Sequence, residues 1–169
     1  MKKGANTSVR GFTLIEILIV IGIIAILAAI VIVAISPAKQ FAQARNTQRE
    51  SGVNTILNAI GQRLSDNKGV FAGTFNVGGT NYTCGPIPSG STTTVTSTMA
   101  GDTTTPTGSL GCLQPTYVAT LPRDPDPTVS APSTGYDVIV SATGRITVCA
   151  SLAANETALP SPVAICVTR

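Results

Sequence analysis

A single carboxylate lies near the start of the one long aliphatic stretch of the sequence. Glu16 follows Phe12 by four residues, and residues 17–35 after it carry no formal charge. A carboxylate in hydrocarbon is strongly destabilised unless a positive group compensates it. The simplest role for Glu16 is to stabilise the first turn of a helix at the lipid headgroups, where the helix dipole favours an acid. The alternative role is to pair with a positively charged partner.

The side chains that most nucleophilic enzymes require are missing. The chain of 169 residues has no histidine, which excludes Ser-His-Asp and Cys-His systems and any zinc site that contains histidine. Paired carboxylates such as Asp124 and Asp126 alternate with prolines, a pattern typical of turns. We therefore predict that the protein is not an enzyme.

The formal charge of +3 comes from the N-terminus. Lys2, Lys3 and Arg10 precede the aliphatic stretch, whereas the residues from Phe12 onward carry 8 basic and 8 acidic side chains. Binding to nucleic acid requires a clustered basic face, because each neutralised phosphate needs its own Lys or Arg. We expect no direct binding to nucleic acid.

Four cysteines all follow the aliphatic stretch: Cys84, Cys112, Cys149 and Cys166. Their wide spacings contain no C-x-x-C pair, which disfavours a metal site. They predict structural disulfides in an oxidising compartment, with free buried thiols as the alternative. Three pairings are possible, and sequence order favours Cys84 with Cys112 and Cys149 with Cys166.

The aliphatic stretch is long enough for one membrane crossing. The nineteen uncharged residues 17–35 would extend about 28 Å as a helix, close to the hydrocarbon thickness of a bilayer. A secretory signal has a shorter apolar region, of about 7 to 15 residues, before its cleavage site. Ser36-Pro37-Ala38 imitates such a site, so a cleaved signal is the alternative.

A family resemblance rests on residues 11–16, Gly-Phe-Thr-Leu-Ile-Glu, which lie between a short basic leader and the aliphatic stretch. This arrangement resembles the N-terminal signature of type IV prepilins and type II secretion pseudopilins. The resemblance implies that a prepilin peptidase cuts between Gly11 and Phe12 and methylates the new amino group of Phe12. It also implies that Glu16 acts in the assembly of a pilus (fimbrium) or pseudopilus. The implied partners are other pilin subunits in a homo- or hetero-polymer, the peptidase, the inner-membrane assembly machinery and, before assembly, membrane lipid.

Physical reasons support these implied roles. Gly11 lets an extended backbone enter a protease cleft without a Cβ in the way. Cleavage would remove the three cations of the leader and create an amine at Phe12, close to where Glu16 would lie on a neighbouring subunit. An amine and a carboxylate compensate each other in a packed filament core, so Glu16 would set the register between subunits.

The resemblance indicates a single-pass protein of the bacterial cytoplasmic membrane. Counting basic side chains gives a tie, because three precede the span and Lys39, Arg45 and Arg49 follow it, on what we interpret as a solvated or headgroup-facing helix surface. The initiating amine and the cysteines favour a cytoplasmic N-terminus and an exported C-terminal region. After assembly, the filament would lie at the cell surface or in the periplasm.

Four segments follow from these patterns: a leader 1–11, a membrane-spanning assembly helix 12–36, an amphipathic continuation 37–65 and an exported β-rich domain 66–169. Pro37 should kink the helix or mark a boundary between two helices. Apolar residues of the third segment share one helical face: Val53, Ile56, Leu57, Ile60 and Leu64. The predicted fold class is α+β and pilin-like, with a long N-terminal helix packed through this stripe on a small antiparallel sheet.

Short β-like runs divided by Gly, Pro and Asn occupy the last segment. Gly78-Gly79 joins two of them and predicts a hairpin. Residues 136–150 predict a second hairpin, and residues 163–167 predict a further strand. Residues 88–109 are rich in Thr, Ser, Gly and Pro and have few large apolar side chains, so they predict an exposed loop.

A looser resemblance covers residues 117–125, Tyr-Val-Ala-Thr-Leu-Pro-Arg-Asp-Pro. This segment resembles one in pseudopilins of the major class and related bacterial pilins, where a Leu-Pro-x-Asp-Pro turn leads into the final sheet. In some relatives, carboxylates and carbonyls beyond the turn hold calcium. The resemblance thus implies a calcium site at Asp124, Asp126 and Asp137, and turn formation is the alternative role of an Asp before Pro. No other cofactor is expected.

The sequence is compatible with two functions. The first is a structural filament subunit, with a pilus, a DNA-uptake pseudopilus and a type II secretion pseudopilus all compatible. The second is a monomeric, membrane-anchored binding domain that displays its Thr-rich loop to a ligand. The substitution Glu16→Leu separates the two functions, because an anchor tolerates it and a filament subunit loses assembly.

Overall fold

The computed structural model describes residues 11–97 and 109–169. The chain divides into two compact units, Met1–Gln40 and Phe41–Arg169. Within the described ranges it forms two helices and six strands, with two short 3-10 turns at Gly111–Leu113 and Ser151–Asn155. The helices are α1 Leu14–Ile35 and α2 Pro37–Asp66, and the strands are β1 Gly73–Val77, β2 Thr80–Cys84, β3 Thr93–Thr96, β4 Ser133–Val140, β5 Ile146–Ala150 and β6 Ile165–Thr168.

Pro37 is predicted either to kink one helix or to mark a boundary between two, and the structure has the boundary. Ser36 separates α1 from α2 and has a left-handed backbone, with φ 48° and ψ 76°. A residue before proline is disfavoured in the right-handed helical region, and proline suits the first helical position because it has no N–H to pair. The carbonyl of Ser36 accepts the N–H groups of Lys39 and Gln40, at 3.0 and 3.4 Å, and so begins α2.

The apolar stripe of α2 packs on the sheets, as predicted. Val53, Ile56 and Ile60 are fully buried, and Leu57 is 3% exposed. They form one core with the inward side chains of the four-stranded sheet, among them Tyr136, Val138 and Val148. The α+β, pilin-like class expected from the sequence is confirmed.

Two antiparallel sheets make up the β structure of the described residues. β1 and β2 form a hairpin whose turn is Gly78-Gly79, and both glycines have positive φ, at 60° and 86°. Such a turn favours glycine because other residues are strained there. The second sheet has the order β3-β4-β5-β6, and its β4–β5 hairpin and last strand are those predicted.

The predicted loop 88–109 contains a strand. Thr93–Thr96 forms β3 and pairs with β4 at the edge of the second sheet. Val95 is fully buried, and β-branched threonines suit a half-buried strand, so one buried side chain supports pairing where composition suggested a loop. Residues 98–108 of this segment lie outside the described residues.

One glycine in α2 is required by close packing. A Cβ placed on Gly52 would lie 2.2 Å from the hydroxyl oxygen of Tyr136. Tyr136 is fully buried on β4, so its ring packs directly on the helix backbone. Gly52 therefore sets how closely β4 approaches α2.

Candidate functional site

The junction between Gly11 and Phe12 lies in non-helical backbone before α1. Both residues are exposed, and Phe12 is 80% exposed. Helix α1 begins three residues after Gly11, at Leu14. The peptide bond between Gly11 and Phe12 is therefore accessible, and its cleavage would leave the whole of α1 intact.

Thr13 and Glu16 form a reciprocal cap at the start of α1. The hydroxyl of Thr13 accepts the backbone N–H of Glu16 at 3.3 Å, and the carboxylate of Glu16 accepts the backbone N–H of Thr13 at 3.4 Å. These two contacts satisfy backbone donors that a helix start leaves free. Both are long for hydrogen bonds, so the carboxylate is weakly held within its own chain.

The surface of α1 is apolar and exposed on every side. None of its 22 residues is buried in the structure, and Ile15, Leu18 and Ile26 are 54 to 65% exposed. The helix extends about 33 Å and is long and apolar enough, by length and composition, to cross a membrane. In water so much apolar surface is strongly unfavourable, so α1 requires lipid or other protein around it.

A charge cluster of four side chains connects α2 to two loops of the Phe41–Arg169 unit. Arg49 is 1% exposed, and its Nε and Nη2 donate to both oxygens of Asp124 at 2.8 and 2.9 Å. Its Nη1 donates to Glu156 at 2.5 Å. Arg45 donates to the same carboxylate through Nε at 2.8 Å and Nη2 at 2.5 Å. All four charges are compensated, which the three buried members, Arg49, Asp124 and Glu156, require.

The pKa values of this charge cluster follow from the pairing. The hydrogen bonds from Arg45, and then the one from Arg49, lower the pKa of Glu156 to about 2. The hydrogen bond to Glu156 raises the pKa of Arg45. Burial opposes the charge of Arg49, but its bonds to Asp124 and Glu156 outweigh burial and raise its pKa.

Sequence patterns did not reveal this cluster. The solvated or headgroup-facing surface predicted for Arg45 and Arg49 is wrong for Arg49, because that side chain is buried. The available signal was helical spacing, since Arg49 lies four residues before Val53 and so continues the buried stripe. Without a visible partner for Arg49 in the sequence, that spacing did not identify Asp124 or Glu156. The charge cluster holds α2 to its loops, which is a structural role.

The three aspartates of the implied calcium site have separate surroundings. Both oxygens of Asp124 accept from Arg49, and Asp126 accepts from the backbone and hydroxyl of Thr128. Asp137 accepts from the hydroxyls of Thr94 on β3 and of Ser151 in the turn after β5. Within residues 11–97 and 109–169, no cluster of three or more His, Cys, Asp or Glu could hold a metal. As arranged here the aspartates do not fit one calcium ion, and calcium stays a prediction from the resemblance alone.

The structure joins Cys84 to Cys112 and Cys149 to Cys166. These are the pairs that sequence order favours. Cys84 and Cys112 are each 2% exposed and belong to the core, whereas Cys166 is exposed on the last strand. No cysteine is left free. Two disulfides in one small domain are typical of an oxidising compartment.

Comparison with known proteins agrees with the N-terminal geometry. Residues 6–32 match the family model of the prokaryotic N-terminal methylation motif. No curated protein and no solved structure matches the chain. The match covers the exposed junction, the cap and most of α1, and it confirms the resemblance carried by residues 11–16. The chain therefore carries the type IV pilin and pseudopilin signature, that of a membrane-anchored pilin-type precursor.

Proposed function

We propose that the protein is a structural subunit of a type IV pilus or pseudopilus and not an enzyme. The observation that carries the proposal is α1, a 22-residue apolar helix with no buried residue, preceded by an exposed Gly11-Phe12 junction. A helix of this kind is stable in a bilayer before assembly and in a packed helical core afterwards. The methylation motif over residues 6–32 supports the same function.

In the proposed pathway, prepilin peptidase cuts between Gly11 and Phe12 and methylates the amine of Phe12. The N-terminus faces the cytoplasm and the Phe41–Arg169 unit is exported, which agrees with its two disulfides. The cut spares Thr13, so the reciprocal cap of α1 survives maturation. The inner-membrane assembly machinery then adds the subunit to a polymer of the same or related chains.

Glu16 has two partners in this proposal, one before assembly and one after it. In the free chain, its carboxylate accepts a long hydrogen bond from the backbone N–H of Thr13, at 3.4 Å. In the filament, it leaves this weak contact and pairs with the methylated amine of Phe12 on a neighbouring subunit. Either charge alone would be heavily penalised in an apolar core, so the pair fixes the register in which subunits add.

The substitution Glu16→Gln separates the two roles of this residue. Glutamine also completes a reciprocal cap, so α1 should still form, but it lacks the charge needed for the amine. We expect Glu16→Gln to be processed and inserted into the membrane and to be lost from the sheared filament fraction. The matched control is Glu50→Gln, which removes an exposed carboxylate from α2 and should assemble normally.

Normal assembly of Glu16→Gln would contradict the pairing and leave capping as the role of this residue. If Glu16→Leu were also tolerated, and no filament appeared with the unchanged chain, a monomeric membrane-anchored binding domain would replace the proposed function.

A further inference from the structure

The two disulfides differ sharply in their exposure to solvent. Cys84 and Cys112 are each 2% exposed and lie in the hydrophobic core. Cys149 is half-buried, and Cys166 is exposed. Thiol–disulfide exchange needs direct access of a thiolate to a sulfur atom, so the two bonds should differ widely in reactivity.

Cys149 and Cys166 lie directly opposite each other on β5 and β6. Their neighbours Val148 and Ala150 are fully buried on the other face, so the bond between the two cysteines lies on the outward face of the sheet. Beside it on that face, the hydroxyls of Thr147 and Thr168 are 2.7 Å apart. β6 is also the last strand of its sheet. A reagent in water can therefore reach this bond without unfolding of the core.

A carboxylate stands beside Cys149 on the same face. Asp137 of β4 lies directly opposite Cys149, which places their Cβ atoms about 4.5 to 5.5 Å apart. The carboxylate accepts hydrogen bonds from Thr94 and Ser151 and is held in this position. Its negative charge repels an anionic thiolate that approaches the bond, and it disfavours the negative charge that develops on Cys149 when this sulfur leaves.

We propose that Cys149–Cys166 is a thiol–disulfide exchange site for low-molecular-weight thiols, and that Asp137 slows the reaction of anionic ones. The thiolate attacks Sγ of Cys166, the more exposed of the two cysteines. A new bond forms between the thiol sulfur and Cys166 as the bond between Cys149 and Cys166 breaks, and Cys149 leaves as a thiolate. A second thiolate then attacks the mixed disulfide, releasing the oxidised reagent and a thiolate at Cys166.

Exchange would release the disulfide cross-link between β6 and β5 and leave the rest of the fold in place. The buried pair Cys84–Cys112 stays oxidised, and the backbone of Arg169 remains bonded to Ile146 through two hydrogen bonds, at 2.8 and 2.9 Å. The site thus gives the protein a position for reversible thiol modification on a sheet face that is exposed in the single chain.

The test uses the full chain in detergent, incubated with graded glutathione, quenched with acid and alkylated, with peptide masses read for each cysteine. We expect Cys149 and Cys166 to react more than about tenfold faster than Cys84 and Cys112, with glutathione found on Cys166 at early times. Equal rates for the two pairs, or earlier reaction of Cys84 and Cys112, would overturn the proposal. So would glutathione found only on Cys149.

The role of Asp137 is tested with Asp137→Asn, and Asp126→Asn serves as the matched control in a loop. Removing the charge should speed exchange with glutathione roughly threefold at low salt, and the control should leave the rate unchanged. In the unchanged chain, added salt should speed exchange with glutathione, whose thiolate form is net negative, and should change the rate with cysteamine little, because its thiolate is balanced by its own ammonium. Because that comparison needs no substitution, it holds even if Asp137→Asn folds poorly, and equal salt effects on the two thiols would refute the role of Asp137.

Discussion

Glu156 offers the sharpest test of the charge cluster that holds α2 in the Phe41–Arg169 unit. Its carboxylate accepts two hydrogen bonds from Arg45 and one from Arg49. The substitution Glu156→Gln keeps the shape of the side chain and one acceptor oxygen but removes the charge. It leaves Arg49 paired with Asp124 alone and Arg45 without an acid.

The stability that Glu156→Gln should lose follows from the pKa of Glu156, which falls from 4.5 to about 2 in the folded protein. Since one pKa unit corresponds to about 1.4 kcal/mol, the charged carboxylate contributes at most about 3 kcal/mol to the free energy of unfolding at pH 7. Because the folded-state pKa is the lower one, this contribution is fully present above pH 4.5 and is lost as the pH falls towards 2. We expect Glu156→Gln to cost about 2 to 3 kcal/mol at pH 7.

Urea unfolding at pH 7 and at pH 3 measures both the cost of the substitution and the loss of stability in acid. Near-ultraviolet circular dichroism reports the domain selectively, because all 3 tyrosines of the chain lie beyond residue 80. The unchanged protein should lose stability between the two pH values, and Glu156→Gln should lose less. Glu50→Gln, at an exposed position, should match the unchanged protein within about 0.5 kcal/mol. An acid loss of equal size in Glu156→Gln and the unchanged protein would refute this reasoning.

Three further predictions concern packing and cross-links, and urea midpoints at pH 7 measure all of them. Gly52→Ala should cost about 2 kcal/mol because its Cβ would lie 2.2 Å from the Tyr136 hydroxyl oxygen, and adding Tyr136→Phe should recover part of the loss. Arg63→Ala should cost about 2 kcal/mol, since Arg63 donates to two backbone carbonyls and lies 4.3 Å from an aromatic ring. Replacing Cys84 and Cys112 together by Ser should cost about 3 to 4 kcal/mol, because the bond joins residues 28 apart. Losses below 0.5 kcal/mol would contradict each of the three.

The N-terminal elements were the most predictable part of the chain, because their determinants are local. The length and composition of α1 follow from an uninterrupted aliphatic run, and its start follows from Thr13 and Glu16 at capping positions. The stripe on α2 and the turn at Gly78-Gly79 are likewise set by spacing and residue type within a few positions.

The parts that sequence patterns missed depend on partners far along the chain. Arg49 is buried because Asp124 and Glu156 meet it from 75 and 107 residues away. β3 exists because β4 offers it a partner and the core accepts Val95. The three aspartates of the implied calcium site lie close in sequence, yet one of them pairs with Arg49. Local patterns do not encode which distant residue completes a buried ion pair or an edge strand.

The most direct test of the central claim is the N-terminus of the mature protein. Intact mass and N-terminal sequencing of the chain recovered from its native membrane or from a sheared surface fraction would give it. Processing as a prepilin predicts a chain that begins at N-methylated Phe12. A chain that begins at Met1, or one cut after Ala38 and beginning at Lys39, would contradict the proposed function.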